Sequence, residues 1–154
     1  MLRCDVIWCV QDIFPISKLV VFDEKELELL IGGIAEIDVK DWSKNTTYSA
    51  GYDSYSPTIQ WFWETVLSFS PEQRARLLQF ATGTSRVPMN GFSELQGSTG
   101  PQLFCVKQWG KIQDLPRAHT CFNRIDLPAY NSYQLVREKL LMAVENSEGF
   151  GGVD

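Results

Sequence analysis

Apolar residues recur at helical spacing in four segments of the chain, and each segment has start or stop signals. The first begins with a capping box at Asp23–Glu26, and Gly32–Gly33 predicts its end. The second begins at Ser56, which is followed by a proline suited to a first helical turn. The apolar residues on these two predicted helices are Leu27, Leu30, Ile31 and Ile34, and then Ile59, Phe62, Trp63 and Val66.

The third and fourth segments are bounded in the same way. Ser70 and Gln73 form a second capping box, and Gly83 predicts where that helix ends. The fourth helix is expected from about Ser132 to Asn146, with Gly149 after it. Its buried side is predicted to carry Tyr133, Val136, Leu140 and Val144.

Two short β-prone runs, Leu103–Lys107 and His119–Ile125, lie between the third and fourth helices. They predict an α/β (α+β) fold, in which a small mixed β-sheet is flanked by helices. The polar segment Ile37–Tyr55 has no apolar period and is expected to connect an N-terminal piece to this body. The piece before residue 37 is too small for its own core, so it is expected to pack on the body or on a part of a larger protein.

Composition narrows the function classes. The chain has 154 residues, one histidine, four cysteines and a formal charge of −5. One histidine excludes a metal centre that needs two, and we predict no metal site and no cofactor. The acidic balance argues against nucleic-acid binding, and membrane insertion is not expected because no run of eighteen apolar residues occurs. The cysteine spacing and the lack of a secretory signal favour a cytoplasmic, reducing setting.

Cys121 is the candidate nucleophile, because the single histidine, His119, stands two positions before it. In an extended chain both side chains would face one side, roughly 6–7 Å apart, with Arg117 on the same face. The thiolate is the reactive form, and a neighbouring cation would raise its population. The alternative is a Cys–His pair buried in the core. A cysteine peptidase is a weak third reading, because Asn123 and Asp126 are too near in sequence to promise an orienting residue.

The segment His-Thr-Cys-Phe-Asn at residues 119–123 is surrounded by further motifs in a fixed order. These are Phe22–Glu24, Glu26–Leu30, Trp61–Trp63, Glu72–Phe80, Thr82–Pro88, Asn90–Phe92, Leu95–Gly97, Gly100–Pro101, Leu127–Pro128, Tyr130, Ser132–Tyr133, Glu138–Leu141 and Gly149–Phe150. Together they resemble the HECT-type ubiquitin-protein ligases, most closely the subfamily that carries WW domains upstream. The resemblance covers residues 13–154.

A HECT domain has a large N-lobe, a flexible hinge and a smaller catalytic C-lobe. The resemblance therefore implies three divisions: an unmatched lead at 1–12, the end of the N-lobe with the hinge at 13–40, and the C-lobe at 41–154. The hinge is expected near Val39–Lys44. Cys4 and Cys9 fall in the lead, and Cys105 is expected to be a small buried hydrophobe.

The resemblance also implies a mechanism. Cys121 would accept ubiquitin as a thioester from a ubiquitin-conjugating enzyme and pass it to a substrate lysine. His119 and Thr120 would support the cysteine, and the C-terminal acid Asp154 would help to hold and deprotonate the lysine. Phe150 would anchor the tail between the lobes, or else pack in the core. The alternative function is a truncated ubiquitin- or partner-binding module that is inactive alone, because it lacks the lobe on which the conjugating enzyme docks.

Overall fold

The computed structural model describes residues 36–147. The chain separates into two units, Met1–Ala35 and Glu36–Asp154, so the described residues belong to the second. The helix predicted from Asp23 onward lies outside the described residues. So do Phe150 and Asp154.

The helices predicted after Ser56, Ser70 and Ser132 are confirmed. The described part of the chain contains α1 (Val39–Lys44), α2 (Pro57–Ser68), α3 (Pro71–Thr82) and α4 (Tyr133–Asn146). Ser70 forms the expected capping box with Gln73, and Gly83 ends α3 in the left-handed conformation at φ +83°. Ser56 occupies the N-cap position of α2 without bonding to the helix, since its hydroxyl oxygen accepts a hydrogen bond from the Asp53 N–H.

A small mixed sheet confirms the predicted α/β class. The strands are β1 (Thr46–Ser49), β2 (Gln96–Gly97), β3 (Gly100–Pro101), β4 (Phe104–Gln108), β5 (Arg117–His119) and β6 (Arg124–Leu127). Four of them form one sheet in the order β1-β4-β6-β5, and β2 and β3 form a separate hairpin. The β1–β4 and β4–β6 pairs are parallel, whereas β5 and β6 are antiparallel.

The segment 37–55 is part of the body, so its interpretation as a connection was wrong. Val39 and Trp42 of α1 are buried, and strand β1 pairs with β4. The Trp42 ring stacks on Phe92 at a centroid distance of 5.1 Å and meets Phe104 edge-on at 5.2 Å. A few buried apolar residues among many polar ones hid this element. The residues Val39–Lys44, where the hinge was expected, thus form a helix that packs in this unit.

Two buried tyrosines hold the end of β6 and the chain that follows it. The Tyr52 hydroxyl donates to the Leu127 carbonyl at 3.0 Å, and the Tyr130 hydroxyl donates to the Asp114 carbonyl at 2.5 Å. Burial raises the pKa of Tyr52 to about 12. Burial also raises the pKa of Tyr130, with smaller contributions from Tyr52 and Asp114. Both phenols therefore resist ionisation in the folded chain.

Candidate active site

The predicted strand His119–Ile125 is wrong in its middle, because a loop interrupts it. Strand β5 ends at His119, and β6 begins at Arg124, its partner across the antiparallel pair. A 3-10 turn at Thr120–Phe122 and one left-handed residue, Asn123, fill the gap. Cys121 therefore lies in the loop of a tight β-hairpin and not on an extended strand.

Cys121 is exposed and its thiol is free. A Cys–His pair buried in the core is therefore ruled out for the cysteine. The neighbouring Phe122 ring is 51% exposed, and the Arg124 guanidinium lies 5.9 Å from its centroid. A thiol presented on such a loop is open to a partner that approaches from the solvent.

The β2–β3 hairpin is hydrogen-bonded to the backbone of Cys121. The Ser98 N–H and the Ser98 hydroxyl both donate to the Cys121 carbonyl, at 3.1 and 3.3 Å. The approach is close enough that a Cβ on Gly97 would stand 2.9 Å from the same carbonyl oxygen. Only glycine fits there, which fixes the position of the cysteine's peptide group.

Asn123 connects the loop to the same hairpin through side-chain hydrogen bonds. It is fully buried, and its side-chain Nδ2 donates to the carbonyls of Gln96 and Gln102, at 2.9 and 2.8 Å. Its own carbonyl accepts from the Cys105 N–H at 2.9 Å, which ties the loop to strand β4. Its backbone has φ +49°, a conformation that asparagine tolerates better than most residues. Asn123 thus sets both the shape of the loop and its attachment.

His119 is held by a buried carboxylate. Its Nε2 lies 2.9 Å from Oδ2 of Asp126, a residue that is 2% exposed. Arg117 reaches the same oxygen at 3.5 Å and also lies over the Trp109 ring, 3.4 Å from its centroid. Arg124 Nε lies 3.0 Å from the other oxygen, Oδ1, without the angle of a hydrogen bond. Three basic side chains therefore surround one carboxylate beside the loop.

The packing on the other side of the loop comes from α3. A Cβ built on Gly83, at the end of that helix, would lie 3.7 Å from Cβ of Thr120. Thr120 therefore sits against the helix terminus. This contact supports a role for Thr120 in shaping the loop.

His119, Thr120 and Cys121 follow one another from the end of β5 into the turn, so the expected arrangement of His119 and Cys121 on one face of a strand is not formed. The hairpin places Arg124 on the same side as Arg117 and His119, which a straight strand would not. The contacts of Gly97 and Ser98 with the Cys121 carbonyl, and the contact of Asp126 with His119, were not predicted from the sequence. The alternation of side chains along a strand could have identified Asp126. Residues two apart on a strand share a face, and the hairpin sets the pair Arg117 and His119 against the pair Arg124 and Asp126. Cys105 is half-buried, not fully buried as expected, and its Sγ lies 3.8 Å from the Ser49 hydroxyl.

Nothing in residues 36–147 indicates a metal centre, because no three metal-binding side chains cluster there. No helix among the same residues is long and apolar enough to cross a membrane.

Comparisons with known proteins agree with these features. A family model described as HECT-domain (ubiquitin-transferase) matches residues 5–153. The chain is 59% identical to E3 ubiquitin-protein ligase Nedd-4 of Drosophila melanogaster and 57% identical to E3 ubiquitin-protein ligase NEDD4 of Homo sapiens. It is 56% identical to E3 ubiquitin-protein ligase RSP5 of Saccharomyces cerevisiae.

These alignments cover 91–93% of the chain but only 11–17% of the relatives. The chain thus spans about a sixth or less of the length of the curated relatives that it matches. The family match includes the loop with Cys121 and the elements that hold it. The chain belongs to the HECT-domain (ubiquitin-transferase) family, and the predicted likeness to its WW-domain-bearing subfamily is confirmed.

Proposed function

We propose that this chain is the thioester-forming part of a ubiquitin ligase, in which Cys121 accepts ubiquitin from a ubiquitin-conjugating enzyme and passes it to a substrate lysine. One observation carries the proposal: the only exposed cysteine among the described residues stands on a loop whose backbone is held from two sides. Holding a nucleophile in place while leaving its face open is what a reaction between two folded proteins needs.

The first step is a thiol exchange. The Cys121 thiolate attacks the thioester carbonyl at the end of ubiquitin, forming a carbon–sulfur bond to Cys121 Sγ. The bond to the conjugating enzyme's sulfur breaks, and that sulfur leaves as a thiolate, which takes up a proton. One thioester replaces another, so bond energies change little and positioning dominates the rate.

In the second step a lysine amine attacks the Cys121 thioester, which forms an isopeptide bond and releases the cysteine. Lysine is almost wholly protonated at pH 7, so a carboxylate is expected to help remove its proton. Asp154 remains our candidate for that acid, and Phe150 remains our candidate for the tail anchor. Ubiquitin, a conjugating enzyme and a substrate protein are the proposed partners, in a cytoplasmic setting.

We assign residues 41–154 to the C-lobe and residues 13–40 to the end of the N-lobe and the hinge. Because Val39 and Trp42 of α1 are buried in the described unit, we place the boundary between these two parts, and with it the proposed hinge, before Asp38 and not at residue 40. The alternative, a binding module that is inactive alone, is favoured by one fact: the chain covers only 11–17% of the relatives above. The conjugating enzyme would then dock on a region that this chain does not include.

The experiment supplies ubiquitin to the 154-residue chain in two forms. One is ubiquitin charged on a conjugating enzyme, and the other is a ubiquitin thioester of a small thiol, which needs no docking lobe. The product is a band on a non-reducing gel that a thiol reagent removes. Cys121→Ala is the test variant. Cys105→Ala is the matched control, since the Cys105 thiol is half-buried and contacts the Ser49 hydroxyl, and alanine keeps its backbone bond to the loop.

We expect an adduct from the small-thiol form that needs Cys121 and not Cys105, and little or none from the charged enzyme. An adduct from neither form, at high concentration, contradicts the transferase proposal and leaves the binding module. An adduct that survives Cys121→Ala contradicts the assignment of the nucleophile.

A further inference from the structure

Asp126 is a buried carboxylate whose hydrogen bonding is concentrated on one partner. Its Oδ2 lies 2.9 Å from His119 Nε2, whereas Arg117 reaches that oxygen only at 3.5 Å. Its Oδ1 is buried and has no hydrogen-bond partner within residues 36–147, because Arg124 approaches it without hydrogen-bond geometry. A buried carboxylate needs charged or hydrogen-bonding partners, and among those of Asp126 the His119 ring makes the closest contact that has hydrogen-bond geometry.

The strand register explains how the contact arises. Asp126 stands directly opposite Arg117, and His119 stands opposite Arg124, on the antiparallel pair β5–β6. Residues two apart on a strand share a face, so all four side chains lie on the same side of the hairpin. His119 is the last residue of β5 and is followed at once by the turn that carries Cys121. The His119–Asp126 contact therefore lies directly before the turn that carries Cys121.

The chemistry of the pair decides which ring nitrogen carries a proton. A carboxylate can only accept hydrogen bonds, so His119 Nε2 must be the donor. In the neutral ring the lone pair then lies on Nδ1, the nitrogen that points away from Asp126. We propose that Asp126 is a positioning residue, which holds His119 in one orientation and in the Nε2–H tautomer for the reaction at Cys121. The kinetic part of this inference rests on the proposed function of Cys121.

The tautomer can be read directly, because the chain has a single histidine. We would label the histidine of the full 154-residue chain with nitrogen-15 and record the ring nitrogen shifts at a pH where the ring is neutral. The expected result is a proton on Nε2 and none on Nδ1. Asp126→Asn, which can donate as well as accept, is expected to give a mixture of the two forms. A proton on Nδ1 in the unaltered chain would overturn the proposal.

A double-mutant cycle tests whether Asp126 works through His119. The measured quantity is the rate at which Cys121 is charged by the ubiquitin thioester of a small thiol. Asp126→Asn is expected to slow this about tenfold, by analogy with the loss that follows when a metal-bound histidine loses its hydrogen-bonded carboxylate. In the His119→Gln background the same change should alter the rate less than about twofold, because the ring it positions is gone. Equal losses in both backgrounds would mean a merely structural role and would overturn the inference.

Arg117→Gln is the matched control. It removes a 3.5 Å contact to the same carboxylate oxygen but leaves the His119 contact in place, so the rate should stay within about twofold. A tenfold loss in this variant would assign the effect to the charge cluster and would contradict the proposal.

If Asp126→Asn does not fold, Asp126→Glu takes its place, because glutamate keeps the negative charge but moves the oxygens away from the ring. The same loss of rate and the same dependence on His119 are then expected. Failure of this inference is distinguishable from failure of the proposed function. A missing ubiquitin adduct defeats only the function, since the ring nitrogen shifts do not depend on ubiquitin. The wrong tautomer defeats only this inference.

Discussion

Replacing Asn123 by alanine would remove the side-chain hydrogen bonds that connect the Cys121 loop to the β2–β3 hairpin and the residue after it. The amide of Asn123 is fully buried and donates to the carbonyls of Gln96 and Gln102, at 2.9 and 2.8 Å. Alanine removes both bonds and leaves the two carbonyl oxygens without that donor. At about 0.5–1.5 kcal/mol net for each bond, the loss comes to about 1–3 kcal/mol.

The backbone adds a second cost. Asn123 has φ +49°, and an ordinary side chain in the left-handed region costs roughly 1–2 kcal/mol, of which asparagine recovers a part. The sum predicts that Asn123→Ala lowers the free energy of unfolding by roughly 2–4 kcal/mol. That is a large share of the 5–15 kcal/mol typical of a domain. Asn123→Gly is the matched variant, because glycine loses the same bonds but accepts the same backbone.

The assay is urea unfolding of the 154-residue chain, followed by the fluorescence of its five tryptophans. Glycine should be less destabilising than alanine by about 0.5–1 kcal/mol, after its greater freedom in the unfolded chain is counted. Both variants should also charge Cys121 more slowly from a ubiquitin thioester. An alanine variant that loses less than about 0.5 kcal/mol would refute the claim that these bonds hold the loop. A glycine variant less stable than alanine would refute the left-handed backbone.

Four further outcomes are expected. Gly97→Ala should slow the charging of Cys121 about tenfold or more and lower the free energy of unfolding by about 1–3 kcal/mol, because the new Cβ would stand 2.9 Å from the Cys121 carbonyl oxygen. An unchanged rate would contradict that contact. Ser70→Ala should lower the urea midpoint by an amount worth about 1 kcal/mol and leave the charging of Cys121 unchanged. The capping box is at the N-terminal end of α3, whereas Thr120 contacts the Gly83 end. Trp42→Ala should cost about 3–5 kcal/mol in the same assay, because the ring is wholly buried; a smaller loss would mean that α1 is not part of the core. Between pH 10 and about 12 the folded chain keeps the proton on Tyr52 while the unfolded chain loses it, so the free energy of unfolding falls as pH rises. Tyr52→Phe should make this dependence on pH less steep by about 1.4 kcal/mol per pH unit.

Local signals predicted the helices well, because their ends depend on neighbours in the sequence. The capping box at Ser70–Gln73 and the glycine at 83 act within a few residues, and both function as expected. Helix α1 and strand β1 were missed for the opposite reason. Their place in the body comes from Trp42 packing against Phe92 and Phe104, which are distant in sequence, and no local period records such contacts.

The nucleophile itself could be proposed from a short motif, but its setting could not. The grip of Ser98 on the Cys121 carbonyl joins residues on two separate hairpins, and nothing near Ser98 in the sequence announces it. The loop at Cys121 was mistaken for a strand because its residues are β-prone on both sides. A 3-10 turn at Thr120–Phe122 and the left-handed residue Asn123 break the strand, and asparagine is the only one of these residues that is typical of turns.

Helix α1 is linked to the loop that carries Cys121 through a short series of contacts. Trp42 anchors it in the aromatic cluster, and Asp41 Oδ2 accepts the Phe92 N–H at 2.8 Å, just ahead of the hairpin that grips Cys121. The same short helix is thus buried through Trp42 and bonded through Asp41 to the segment that leads into the β2–β3 hairpin, so a substitution that displaces α1 is expected to disturb the Cys121 loop as well as the core.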